Sequence, residues 1–289
     1  MIFSRSYLQR ARLQKLHSFG PDWYVFRDDE LSFSISGSKV RKYSTLLPYL
    51  LDRDIKHVVV IGGSSSNNVC GLCQLVIENG MTPHIFTLEH RGELQGNALL
   101  ISLMIPEERN HIVPREKWDD VERIANEYAM TLESAIVIPE GANHPAAYDG
   151  AKTLAEDIAR VCSPDHVFID AGTGMQAKAV IDAGKKFLPN THFHVVLVAG
   201  SPFEAGSNVT FYKPSVGASF GSTPKAILQE TKKIAQDEGF FVDPIYTAKL
   251  FYTAREQTKL EGVKCIVHSG GGIGIFPYAE KLEKTGKTP

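Results

Sequence analysis

The sequence is poor in the features that assign a protein quickly. Cysteine is scarce, four in 289 residues, and Cys162 and Cys265 stand alone. Cys70 and Cys73 form a single CGLC pair, whereas a zinc site wants a second pair or a nearby His cluster, and a redox motif opens a helix rather than sitting a turn inside one. At i, i+3 on the apolar face of NNVCGLCQLVIENG they read as small core residues, and no metal centre is expected. Charge of either sign is also not in excess. The 31 Lys and Arg against 33 Asp and Glu give a formal net charge of -2, without the basic footprint of a nucleic-acid or anionic-membrane partner. No apolar run approaches a membrane span, and MIFSRSYLQRARLQKL carries charges throughout with no signal-type apolar core. A cytoplasmic protein acting on a small molecule is the expectation.

What is present is alternation of strand and helix signals in an ordinary globular composition, 43% hydrophobic and 22% charged. HVVVIG (57–62), PHIFTLE (83–89), NHIVP (110–114) and SAIVIPE (134–140) are separated by helical stretches near 66–79, 93–104 and 119–132. Near-continuous Val/Ile runs between helices predict parallel strands buried on both faces. Residues 42–143 form one α/β unit on this reading. A second series follows in DHVFID, HFHVVLVAG, the helix TPKAILQETKKIAQDEG, a short strand at DPIY, a helix from Thr247, and KCIVHSGGG. PAAYDGAKTLAEDIARV, with Pro145 in the permitted first turn, crosses between the series. The expected architecture is two α/β domains, 42–143 and 1–41 plus 144–289, enclosing a cleft at the carboxyl ends of their strands.

The candidate chemistry sits at those strand ends. In SGSKVRK, Lys39 opens a helix behind a small-residue turn; a lysine that attacks a carbonyl needs a fixed position and a lowered pKa, which partial burial beside Arg41 and Lys42 would supply. The same run also fits a solvated helix face. VVVIGGSSSNNVCG places three serines and two asparagines at a helix start, either an anion-friendly N-terminus or a well-capped helix. VFIDAGTGMQAKAV offers Gly172, Thr173 and Gly174 as a close backbone approach to a phosphate, or, read as G-x-G-x-x-A, a dinucleotide fingerprint. The next strand, VVLVAG, lacks the acidic residue that holds a ribose hydroxyl, which favours a single-phosphate cradle. Tyr246 in FVDPIYTAKL is a proton donor or acceptor, or a packed tyrosine, and IVHSGGG is a turn that admits a flat ring edge or joins packed elements.

Taken in order, these motifs resemble the fold-type II pyridoxal-phosphate enzymes, in particular the D-cysteine desulfhydrase and 1-aminocyclopropane-1-carboxylate deaminase group. RDDELSFSISGSKVRK resembles that group's RDD…GGNKxRK, GGSSSNN its GGxQSNH/Q, QGNALLISLM its GN-LL helix and VIPEGANHPAA its IPEGGSNPxGA. GTGMQA, DPIYTAK and HSGG are similar to GTGxT, DPVYTGK and HTGG. The chain departs from the pattern at Ser38, Ser65, Cys70, Met175, Gln176 and Lys178.

The resemblance implies a tryptophan synthase beta-like α/β fold with pyridoxal 5'-phosphate in the interdomain cleft, joined to Lys39. It also implies that Asn67 bonds the phenolic oxygen, that the amides of Gly172, Thr173, Gly174, Met175 and Gln176 hold the phosphate, and that Ser269 faces the pyridine nitrogen. Ser66 and Tyr246 would be acid/base groups beside Lys39, and Ser66, Asn67, Asn68, Asn143, Tyr246 and Thr247 would face the substrate. Deaminases of the group, which are hydrolases, carry a glutamate where this chain has Thr247, as the desulfhydrases do. The resemblance thus implies a homodimeric lyase that performs α,β-elimination on a small D-amino acid, D-cysteine first, to pyruvate, ammonia and hydrogen sulfide. A 1-aminocyclopropane-1-carboxylate deaminase, a nicotinamide-dependent oxidoreductase and a catalytically weakened pyridoxal-phosphate-binding protein are the alternatives.

Overall fold

The computed structural model describes residues 3–32 and 37–285. Among the described residues there are ten strands: β1 (Leu13–Lys15), β2 (Trp23–Phe26), β3 (His57–Gly62), β4 (Thr82–Leu88), β5 (Asn110–Val113), β6 (Ala135–Ile138), β7 (His166–Ala171), β8 (His192–Leu197), β9 (Val209–Tyr212) and β10 (Lys264–Val267). They form two sheets, a six-stranded one in the order β1-β2-β10-β7-β8-β9 and a four-stranded one in the order β5-β4-β3-β6. Apart from the antiparallel β1–β2 pair, every pairing is parallel. The central strands are buried along nearly their whole length, which is what Val/Ile runs covered by helices on both faces require. Every strand of the smaller sheet lies between residues 57 and 138, at the runs read as strands from the sequence.

Three helices carry the junction between the sheets: Lys39–Leu51, Pro145–Val161 and Met175–Phe187. The second packs against the other two, and one apolar cluster joins Leu46 and Leu50, Ala147 and Ala151, and Ala179. Gly150 makes the tightest of these crossings, because a Cβ there would lie 2.0 Å from the Arg41 carbonyl oxygen. The expected boundary between residues 41 and 42 falls inside the Lys39–Leu51 helix. No helix among the described residues is long and apolar enough to cross a membrane. Among the same residues, no group of three or more His, Cys, Asp or Glu side chains could hold a metal ion. Cys70 and Cys73 are free and buried in the Asn67–Glu78 helix, as their spacing suggested.

Two features differ from the expectation. DPIY is a turn and not a strand, because both carboxylate oxygens of Asp243 accept from the backbone amides of Ile245, Tyr246 and Thr247 and fold the chain into the start of the Thr247–Arg255 helix. The short strands β1, β2 and β9, of three or four residues, are held by pairing with their neighbours and leave little periodic signal.

Each sheet also carries a diagonal histidine pair closed by a tyrosine. His57 Nδ1 lies 3.1 Å from His84 Nε2 and the Tyr128 hydroxyl 3.0 Å from His84 Nδ1. His166 Nδ1 lies 3.0 Å from His194 Nε2 and the Tyr212 hydroxyl 2.9 Å from His194 Nδ1. Burial, with the neighbouring histidines adding, pushes His84 down to about 4 and His194 down to about 3. Both are neutral in the fold, while in the unfolded chain they charge near ~6.5. Stability is therefore expected to fall as pH drops below ~6.5, the loss being complete only once each folded-state pKa is passed. In thermal melts from pH 7 to pH 4, the double variant His84→Gln, His194→Gln should show a shallower decline in Tm than the wild type.

Candidate active site

Lys39 is seated by glycine contacts before any charge is considered. Gly37 adopts φ +48, and a Cβ there would lie 2.2 Å from the Ser269 carbonyl oxygen and 2.8 Å from Gly270 Cα, so the turn lies flat on the HSGG loop. The Ser38 amide donates to the same Ser269 oxygen at 2.9 Å, and Lys39 follows as the first residue of its helix. Ser36 lies outside the described residues. Two residues on, the fully buried Arg41 guanidinium bonds Asp28 at 2.6 Å and Asp157 at 2.7 Å. Lys42 donates to the Gly141 oxygen at 2.8 Å and is pushed down to about 7 by burial, with Lys39 adding.

Lys39 itself is lowered by burial, against the opposing pull of Asp170 and Asp243. Of the sequence reading, partial burial beside Arg41 and Lys42, burial is the larger influence, and Arg41 drops out as a depressing neighbour because it is neutralised by two carboxylates and points away into the core.

The two acidic neighbours carry no role in the sequence reading, although Asp170 stands at a strand end, in FID, and Asp243 opens the DPIY turn. They differ in how they are bound. Asp243 is saturated: Oδ1 accepts from the amides of Ile245 (2.9 Å) and Tyr246 (2.8 Å), and Oδ2 from the amide (3.1 Å) and hydroxyl (2.7 Å) of Thr247. Asp170, at the carboxyl end of β7, has an Oδ1 sealed from solvent with no partner among the described residues. Burial raises its pKa, opposed by Lys39 and by the Ser269 hydroxyl.

The remaining predicted residues divide into those that gather here and those that do not. Ser66 caps the Asn67–Glu78 helix, its hydroxyl accepting from the amides of Asn68 (3.1 Å) and Val69 (3.3 Å). Asn67 faces the HSGG loop, since a Cβ on Gly271 would sit 2.9 Å from its Nδ2 and 3.2 Å from Asp243 Oδ2. Its Oδ1 accepts from Asn97 Nδ2 at 2.6 Å, which fixes the amide with its donor turned inward. Asn97, in the quoted QGNALL stretch, is thus an orienting residue that the sequence reading left without a role. Tyr246 lies over the glycine loop, 3.1 Å from the Cβ position of Gly172, and burial with Asp243, Asp170 and Glu140 raises its phenol well above the ordinary range.

Gly172, Thr173 and Gly174 turn into the Met175–Phe187 helix with Gly174 in the left-handed region at φ +82. Among the described residues the amides of Gly172, Thr173, Gly174 and Met175 donate to no protein acceptor, the arrangement of an anion cradle. The EGA turn closes on it, Gly141 lying 2.9 Å in Cβ position from Thr173 Oγ1, with Asn143 exposed beyond. The Gln176 side chain faces the Pro145–Val161 helix, donating to the Ala151 oxygen at 3.2 Å, and Met175 is buried. Two expected substrate ligands are turned away. Asn68 is 1% exposed and accepts from the Tyr43 hydroxyl at 3.0 Å, and Thr247 is 0% exposed with its hydroxyl committed to Asp243. The N-terminal turns of these helices place Asn68 and Thr247 on core-facing positions, which the linear motif does not reveal.

No family model matches the chain. A Pyrococcus horikoshii protein provisionally named 1-aminocyclopropane-1-carboxylate deaminase is 30% identical over 293 residues, covering 91% of this chain and 88% of that protein. The bifunctional D-cysteine desulfhydrase/1-aminocyclopropane-1-carboxylate deaminase of Arabidopsis thaliana is 23% identical over 304 residues, covering 91% of this chain and 75% of its own. Among solved structures, that of an ACC deaminase homologue matches with a TM-score of 0.83 at 23% identity, over 95% of this chain and 93% of the other.

The seat of Lys39 makes a direct prediction. Gly37→Ala should destabilise the protein by about 2 kcal/mol or more in chemical denaturation, from backbone strain together with the clash on Ser269. Gly63→Ala, where a Cβ meets nothing within 4 Å, should change stability far less.

Proposed function

Because the chain belongs to the 1-aminocyclopropane-1-carboxylate deaminase and D-cysteine desulfhydrase family of fold-type II pyridoxal-phosphate enzymes, we propose that it is a lyase that eliminates hydrogen sulfide from D-cysteine, leaving pyruvate and ammonia. The observation that carries this reading is the position of Lys39, an amine lowered by burial at a helix start, pressed onto the Ser269–Gly270 turn. The residues present fit pyridoxal phosphate on independent grounds. The GTG loop offers unpartnered amides for a phosphate, Asn67 aims a free amide donor inward, and Gly271 lets Asn67 approach the HSGG loop more closely than a Cβ would allow. When bound, the cofactor supplies the electron sink for a carbanion at the substrate's Cα.

On this reading Gly172, Thr173, Gly174, Met175 and Gln176 hold the phosphate through their amides. Asn67 bonds the phenolic oxygen and Lys39 is the covalent anchor. Lys39 and Tyr246 then take opposite proton roles. Burial favours the neutral amine of Lys39, a base able to take the Cα proton, whereas the raised pKa of Tyr246 keeps its phenol protonated and suits it to donate to the departing sulfur. Ser66 and Asn143 line the substrate side. The assignment of 42–143 to the substrate side and of 1–41 with 144–289 to the cofactor side follows from the same reading, supported by the two sheets. A cytoplasmic homodimer acting on a small amino acid, with no nucleic-acid or membrane partner, completes it. A 1-aminocyclopropane-1-carboxylate deaminase is the second reading, because the relatives carry both names. The absence of a carboxylate at Thr247 favours elimination.

Protein reconstituted with pyridoxal phosphate should show a visible absorption band, and borohydride reduction should fix the cofactor on Lys39. Lys39→Ala should abolish the band; a band retained unchanged in that variant removes the central claim. Pyruvate release from a panel of D- and L-amino acids should be greatest for D-cysteine, and release only from 1-aminocyclopropane-1-carboxylate of 2-oxobutyrate would select the second reading. Tyr246→Phe should lower kcat by roughly 10²- to 10⁴-fold with the visible band intact.

A further inference from the structure

Asp170 is the one carboxylate around Lys39 whose hydrogen bonding is incomplete. It stands at the end of β7, next to β10 in a parallel register that pairs Phe168 with Ile266, and continuing that register by two residues brings Asp170 level with His268 and beside Ser269. The Ser269 hydroxyl bears on its carboxylate, and Lys39 and Asp243 are its charged neighbours. Yet among the described residues Oδ1 has no partner, and it is sealed from solvent. An unmet buried carboxylate oxygen is costly, and an acceptor of this kind inside a site marks a place where a ligand supplies the donor.

The identity of that donor follows by accounting for the cations nearby. Arg41 is bound between Asp28 and Asp157, and Lys42 is held on the Gly141 oxygen. Lys39 balances Asp170 only while it carries an ammonium. Joined to the cofactor, its nitrogen would carry at most one proton, directed on this reading to the phenolic oxygen, so the buried carboxylate oxygen would still lack a donor. We propose that Asp170 is the partner of the cofactor's pyridine nitrogen, binding it in the protonated form with Ser269 hydrogen-bonded alongside. This rests on the cofactor reading above and changes its electronics. A lone serine hydroxyl leaves that nitrogen weakly protonated, whereas a serine–carboxylate pair holds the proton and strengthens the electron sink.

The test is a binding comparison that does not depend on turnover. Cofactor-free wild type and Asp170→Asn are titrated calorimetrically with pyridoxal phosphate and with its analogue bearing C–H in place of the ring nitrogen. Wild type should prefer the pyridine by roughly ten- to a hundredfold, the size of a charge-assisted hydrogen bond, and the variant by less than about threefold. Asp170→Ala, which removes the carboxylate without adding bulk, should behave as Asp170→Asn and serves if the amide variant fails to fold. An equal preference in wild type and variants overturns the proposal while leaving the cofactor reading intact. The same holds for an unchanged preference accompanied by a shifted pH midpoint of the visible band, which would place Asp170 at the nitrogen of Lys39. Failure of the wild type to bind pyridoxal phosphate at all removes both.

Discussion

The candidate site depends on a buried ion cluster that does no chemistry. Arg41, with no exposed surface, lies between Asp28 and Asp157, and Asp157 also receives Arg5 at 2.7 Å. These contacts tie the Lys39–Leu51 helix to the RDD segment on one side and to the Pro145–Val161 helix on the other. Such a cluster is weak evidence for stability relative to an apolar core, but removing one member strands buried charge and costs about 3–5 kcal/mol. Its geometric consequence is sharper. A guanidinium fork bonded on two sides allows a helix little rotation, and Lys39 lies two residues away.

Fixing the helix does not tune the lysine, which follows from where the helix start is placed. The Gly37 turn drops Lys39 onto the HSGG loop, in a recess shared with Asp170 and Asp243, and desolvation outweighs the attraction of those carboxylates. The same recess raises Asp170 and Tyr246. One low-dielectric environment thus pushes an amine towards its free base and a phenol towards its acid, the pairing that proton transfer in both directions needs. Asp243 is held by four hydrogen bonds, and those bonds also start the helix that carries Tyr246 over the glycine loop.

The fold was legible because it rests on local pattern. The Val/Ile runs of β3, β4, β7 and β8 can be buried only between helices, and Pro145 marks a helix start that the structure reproduces to the residue. DPIY was misread because an Asx-type turn and a short strand look alike without knowledge of where the Asp243 oxygens point. At the site, the glycines of GTG and HSGG and the placement of Lys39 at a helix start were visible, since each is a backbone requirement written into neighbouring residues. Asn97 was quoted without a role, because its bond to Asn67 spans 30 residues.

By itself, then, the sequence determined the α/β alternation, the strand ends that carry polar groups, and Lys39 as the residue to examine, all properties of short-range periodicity and turn chemistry. Tertiary structure alone decided what surrounds Lys39. It withdrew Arg41 into an ion cluster, turned Asn68 and Thr247 into the core, and brought Asp170 from a strand end and Asp243 from a turn, each more than 130 residues further along the chain, to the amine. Burial and long-range charge are sums over atoms from many segments, and no single stretch of sequence contains them.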